Sequence, residues 1–384
     1  MPGKRFGWPQ LLASLLLSAF VLQSLWVIHR MPWRWAEAAY VQAGLDRLAG
    51  KTLPRDTGAL PVPAAVAAAP IMVARWFLPT LPPDTLKWLV RLPFVAIGWL
   101  LGASIWYVAR RLYGNAGGYT ALALYCFSPA VFFPWPGPLL TGSLGIFGMI
   151  FVTIAAAHTL YAPPQATMYE LRSRWRRIIL LAFAITLAIG SGSWAIGLVV
   201  LGLGFMLYLV PERSLASLGL VLSSCAVALL LLLASFGFRP LALAAAITQA
   251  QFAPFHRGMI VSEVLRAYVT SMRSAQNAVL LALTAIALVV YLAWNRCRYF
   301  GNTSPLLALL AVTALGLGAF ADVFVGPFPF RATPFLYVFI GGVFADLLES
   351  RWRNAFRLLL LGMLIAYATV SVMAVALLPG RALH

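Results

Sequence analysis

The sequence predicts an all-α, multi-pass membrane protein, and three observations carry that prediction. Of 384 residues, 62% are hydrophobic and only 10% are charged, whereas a soluble domain is about 25% charged. Mean hydropathy is +0.89. The apolar residues fall into stretches near the roughly 20 residues that a helix needs to cross a bilayer. Together these exclude a soluble globular enzyme, a disordered tail and a secreted disulfide scaffold. Cys126, Cys225 and Cys297 form no spaced pair or cluster, so they read as small buried hydrophobes rather than as a disulfide framework or metal site.

About eleven spans are expected. The first, Pro9 to Ile28, follows Lys4 and Arg5 as a signal peptide would. No small-residue cleavage site follows it, and Trp26, His29, Arg30 and Trp33 form an interface, so it reads as a retained helix. The later spans fall at about 86–109, 117–134, 138–161, 178–191, 193–210, 214–236, 277–295, 304–325, 328–347 and 356–379. Ile178 to Val210 is too long for one untilted helix and carries Gly190-Ser191-Gly192-Ser193 at its middle, where small polar residues let the backbone turn. A tight hairpin or broken helix is expected there.

The net charge is +18, from 28 Lys and Arg against 10 Asp and Glu. In a soluble protein that balance would suggest nucleic acid. Here the basic residues sit mostly in short loops between apolar runs, so topology and anionic headgroups account for them and no nucleic-acid partner is expected. With the N-terminus in the cytoplasm, half of the basic residues fall in short inside loops, including Arg110/Arg111, Arg172/Arg174/Arg176/Arg177, Arg296/Arg298 and Arg351/Arg353/Arg357. That orientation is the expected one. It places Asp346 and Glu349 among the cytoplasmic arginines as solvated or ion-paired surface groups.

Two outside segments are long, at about 30–86 and 238–276. In the first, Trp33 to Leu48 has apolar residues three to four apart at Ala38, Val41, Leu45 and Leu48, and Pro63 to Leu78 is alanine-rich and closed by prolines. Both suit helices lying along the bilayer surface. The whole chain, 1–384, is expected to be one transmembrane domain with no soluble C-terminal domain.

Soluble-enzyme motifs are absent: there is no phosphate-binding glycine loop, no HExxH and no nucleophile elbow. Chemistry must therefore come from the few outside charges. Glu37 follows the first span among Trp33, Arg34, Trp35 and Tyr40. A carboxylate held at the membrane surface can take a proton from an acceptor hydroxyl. Read structurally instead, it pairs with Arg34 three residues earlier. Asp56, and Asp322 near the outer end of a span, are additional candidate acids. Arg257, Arg266 and Arg273, with His256 beside them, suit a phosphate, because guanidinium groups bind phosphate oxygens through paired hydrogen bonds. Arg331 lies just inside a span, where an arginine faces a cavity or pairs with an acid such as Asp322 rather than facing lipid.

The order of these segments resembles the GT-C class of membrane glycosyltransferases, in the bacterial branch of the protein mannosyltransferases and the lipid A aminoarabinose transferase. Glu37-Ala38-Ala39-Tyr40 is similar to the family's Asp-Glu-x-x-Tyr opening, and Val90-Arg91-Leu92-Pro93 to its Arg-Leu-Pro entry into the second span. Ala109 to Gly114 resembles its cytoplasmic turn, and Ala121 to Pro129 its third span. Leu187 to Leu198 resembles the hairpin usually written Leu-Thr-Lys-Gly-Pro, and Arg331-Ala332-Thr333-Pro334 the Arg-Tyr-x-x-Pro start of a late span. The likeness covers about 10–210 well and is thin afterwards. It departs from the pattern at Ala36, where the family has its first aspartate, and near Leu60-Pro61-Val62-Pro63, where the Phe-Glu-Lys-Pro acid and lysine are missing. Ser191 or Ser193 replaces the hairpin lysine.

The resemblance implies an inverting glycosyltransferase on the outer face of a bacterial inner membrane. Its donor would be a sugar on a polyprenyl phosphate and its acceptor a glycan, lipid or protein. Glu37 would assist attack at the anomeric carbon, in a cavity also lined by Arg257, Arg266 or Arg331. The sequence establishes no cofactor and leaves a divalent metal open, since one carboxylate is too few to argue for one. The competing expectation, motivated by the missing acid and lysine, is a catalytically inactive scaffold or lipid-binding subunit of a glycan assembly complex. A transporter would need charged residues at mid-bilayer in paired broken helices, and this sequence has almost none.

Overall fold

The computed structural model describes residues 8–33, 35–49, 61–78, 80, 82–128, 137–160, 167–191, 195–196, 199–200, 204, 214–236, 238–241, 243–244, 275–293, 324–325, 328–350 and 352–377. They are almost entirely helical. In chain order the helices are α1 (Trp8–Arg30), α2 (Trp35–Leu48), α3 (Pro61–Arg75), α4 (Pro83–Cys126), α5 (Gly137–Leu160), α6 (Thr167–Gly190), α7 (Ser214–Ser235), α8 (Ala275–Ala293), α9 (Thr333–Glu349) and α10 (Arg353–Ala376). Before α9, two-residue strands β1 (Phe324–Val325) and β2 (Phe328–Pro329) pair antiparallel, Phe324 with Pro329 and Val325 with Phe328. A 3-10 turn, Phe330–Ala332, joins β2 to α9.

Among the described residues, five helical stretches are long and apolar enough to cross a membrane: Trp8–Arg30, Pro83–Cys126, Leu215–Ser235, Phe330–Glu349 and Arg353–Ala376. Shorter apolar helices accompany them. The chain is a multi-pass membrane protein. Most of the expected spans at 193–210 and 304–325 falls outside the described residues.

The expected break between the second and third spans is a single residue. Gly114 has φ +77°, inside what is otherwise one helical run of 44 residues. Only glycine takes that backbone conformation without steric cost. The chain folds back there: a Cβ on Gly118 would meet Arg110 and Trp106, and one on Gly102 would meet Tyr125. The two arms of α4 are therefore an antiparallel hairpin around the expected turn at Arg110-Arg111-Leu112-Tyr113-Gly114. The expected span from 178 begins earlier, at Thr167, because arginine is a good helix former and the basic cluster Arg172–Arg177 holds no proline. It ends at Gly190, with a turn at Ser191 whose N–H donates to Leu187 O at 3.1 Å.

The chain forms two compact units. One comprises residues 1–31, 99–136 and 260–384, and the other 32–98 and 137–259. In the first, α9 is the buried element: every residue from Thr333 to Leu347 is shielded. Helices α8 and α10 pack on it, with Tyr291 edge-on to Phe339 at 5.6 Å between ring centroids. A helix apolar on all sides suits a protein core as well as a lipid-facing span, and here protein supplies the cover. Burial reaches Asp346, which is 9% exposed. The expectation of a surface group there is corrected: Asp346, near the end of the helix, is still enclosed by protein.

In the second unit, α5 packs on α6 and α6 on α7, and Thr186 donates to Ala182 O in its own helix and to Ala228 O of α7 at 3.4 Å. Helix α3 packs against α2, α5, α6 and α7. Its Ala64, Ala67, Ala68 and Ile71 are buried. The alanine-rich face that suited a bilayer surface is thus covered by protein, since small side chains let helices approach closely.

Candidate functional site

Glu37 lies in the first turn of α2. Its carboxylate reaches Arg91, 54 positions later in the first arm of α4. Arg91 Nη2 donates to Glu37 Oε1 at 2.8 Å and Nε donates to Oε2 at 3.0 Å. The same Nη2 donates to Pro32 O at 2.8 Å. This is the two-pronged geometry in which a planar guanidinium fits a carboxylate. The Arg91 side chain is 0% exposed and that of Glu37 11% exposed. A bare guanidinium so enclosed would be costly, and the carboxylate and carbonyl offset that cost. The expected local partner, Arg34, lies outside the described residues; the partner that the fold supplies is Arg91.

A second cation lies one turn before Arg91. Lys87 is buried, and its Nζ is 3.8 Å from Asp84 Oδ1, whose side chain is 60% exposed. The i, i+4 spacing puts Lys87 and Arg91 on one face of the helix. Two acids and two bases therefore gather where α4 begins.

Two packing contacts hold α2 in place. A Cβ on Gly44 would collide with the Ala64 carbonyl, so only glycine permits α2 and α3 to cross this closely. Near the other end of α2, Arg47 lies over the ring of Phe236, 4.9 Å from its centroid. Burial holds the Arg47 guanidinium below the ordinary arginine value. Phe236 in turn packs with Leu232 and Leu243.

Of the other residues singled out from sequence, Arg331 is buried at 7% exposure in the 3-10 turn before α9. It is shielded from lipid, as its place inside a span suggested. Asp56, His256, Arg257, Arg266, Arg273 and Asp322 lie outside the described residues. Among the described residues no three of His, Cys, Asp and Glu lie close enough to hold a metal ion. In the sequence Arg91 stands out only as part of a motif, and Lys87 does not stand out at all. The available signal was two cations one turn apart at the start of an apolar run.

The architecture matches a solved structure. The chain aligns with the archaeal oligosaccharyltransferase AglB from Archaeoglobus fulgidus, solved in complex with an inhibitory peptide and a dolichol-phosphate, at TM-score 0.52 and 12% identity. The fold is GT-C-like. The alignment covers 96% of this chain but 56% of AglB, so this chain spans little more than half of that protein's length. No family model matches the sequence, and no curated protein does. Within this GT-C-like fold, the two short motifs that looked separate in sequence, at Glu37 and at Arg91, are one ion pair.

Proposed function

We propose that this protein is an inverting glycosyltransferase that moves a sugar from a polyprenyl-phosphate donor to an envelope glycan, lipid or protein on the outer face of a bacterial inner membrane. The observation that carries the reading is the Glu37–Arg91 pair, on a GT-C-like fold, in the loop that leaves the first span. The dolichol-phosphate bound to AglB supports a lipid-linked donor. In the proposed step the acceptor O–H gives its proton to the Glu37 carboxylate as its oxygen bonds to the anomeric carbon. The bond from that carbon to the phosphate oxygen breaks, and the electron pair leaves on the lipid phosphate. Arg91 positions the carboxylate. The departing phosphate is assigned to Arg257, Arg266 and Arg331, with His256, and Asp56 and Asp322 remain candidate supporting acids.

One observation favours a second reading. Both oxygens of Glu37 already accept hydrogen bonds from Arg91, which is what a purely structural ion pair would do. The alternative is a catalytically inactive GT-C-like scaffold or lipid-binding subunit. Transfer from radiolabelled polyprenyl-phosphate sugars by the purified protein separates the two. The transferase reading expects product with at least one donor, falling on the order of 10²–10⁴-fold in Glu37→Gln. Full activity in that variant would remove Glu37 from the chemistry, and no transfer from any donor would favour the scaffold.

A further inference from the structure

The unit built from α1, α8, α9, α10 and the second arm of α4 contains a cavity of about 730 Å³. Arg353 and Arg357 line it from the first turns of α10, one helical turn apart, so both project from one face. Leu360, Leu361 and Leu364 continue that lining along the same helix. At 1.5 Å per residue, Leu364 stands about 16 Å beyond Arg353. One wall is thus cationic at one end and aliphatic at the other. Across the cavity, Tyr119 and Thr120 bring hydroxyl groups and Leu16 of α1 adds apolar surface.

Both arginines are exposed. Among the described residues neither guanidinium has an ion-pair or hydrogen-bond partner. Two open guanidinium forks suit the oxygens of a phosphodiester. A free phosphate would leave the leucine wall wet, whereas an acyl chain would cover it. Helix α10 is long and apolar enough to cross the membrane, so its first turns meet the headgroup layer, where basic residues attract anionic lipid.

We propose that this cavity is a binding site for an anionic phospholipid, with the phosphodiester held by Arg353 and Arg357 and an acyl chain laid along Leu360 to Leu364. The inference goes beyond glycosyl transfer and does not depend on it.

The protein is reconstituted in nanodiscs of equal parts phosphatidylglycerol and phosphatidylcholine, transferred to detergent and weighed by native mass spectrometry. Wild type should retain phosphatidylglycerol preferentially, and Arg353→Gln/Arg357→Gln should lower that preference about thirtyfold, as expected for losing two headgroup cations. Arg30→Gln/Arg75→Gln removes the same charge elsewhere and should leave it unchanged. Soluble glycerophosphate should not displace the lipid. Photoactivatable phosphatidylglycerol on the wild-type protein gives a measurement that needs no variant to fold, and should label within residues 353–364. Equal loss in both double variants, retention of both lipids alike, displacement by glycerophosphate, or labelling that avoids α10 would each overturn the proposal.

Discussion

Arg91 grips Glu37 with two parallel hydrogen bonds, of 2.8 Å and 3.0 Å, and so ties the start of α2 to the entry of α4. The guanidinium is fully enclosed. Losing one member of a buried pair strands the other and costs about 3–5 kcal/mol, far more than an exposed pair contributes. Arg91→Gln and Glu37→Gln should each lower the melting temperature in detergent markedly. The double variant should lose less than the sum, with a coupling of about 1–3 kcal/mol. Simple additivity in that cycle would mean that the two groups do not act as a pair.

Glu37→Asp separates positioning from charge. It keeps the carboxylate but withdraws it by one methylene from the Arg91 fork. Melting should shift less than in Glu37→Gln, since the buried guanidinium keeps an anionic partner. Transfer should still fall by about 10²-fold, because misplacing a reacting group by about 1 Å costs that much. The assay is initial rate at a temperature where circular dichroism shows both proteins folded.

Arg47 is expected to lower stability. Its cation lies over Phe236, worth about 0.5–2 kcal/mol, yet its Nη1 is buried without a hydrogen-bond partner among the described residues. Its basicity is depressed because burial outweighs the neighbouring Tyr40, which acts in the other direction. A base whose folded value lies below its unfolded value carries a folding penalty that is complete below the folded value. The penalty is relieved only as pH climbs toward the ordinary arginine range. At neutral pH the whole penalty is present. Arg47→Met, which keeps the packed stem without the charge, should therefore hold or raise the melting temperature. Arg47→Ala should lower it through lost packing.

Gly44→Ala tests the crossing of α2 and α3. The added methyl meets the Ala64 carbonyl and lies 2.8 Å from Ala68 Cβ. Overpacking of this kind costs about 1–3 kcal/mol. Because α2 carries Glu37, the variant should lose transferase activity along with stability. Gly362→Ala, which meets nothing within 4 Å, is the matched control and should melt at or slightly above wild type, since alanine favours a helix interior over glycine.

Sequence by itself determined the solvent of this protein and most of its helices. Hydropathy is a sum over neighbours in the chain, so α1, α5, α7, α8 and α10 begin within a few residues of where apolar runs predict. The turn around Gly114 was legible for a similar reason: the apolar runs stop near 109 and resume near 117, leaving a short basic loop at Arg110 and Arg111. What tertiary structure alone decided is who meets whom. Helical spacing names partners three or four residues away, and so it offered Arg34 for Glu37. Arg91 becomes the partner only after the chain has passed through α2 and α3 and returned. Asp346 reads as a surface acid beside arginines, and is buried because other helices enclose α9 on every side. Burial and long-range pairing depend on how helices pack against one another, and hydropathy along the chain does not encode that packing.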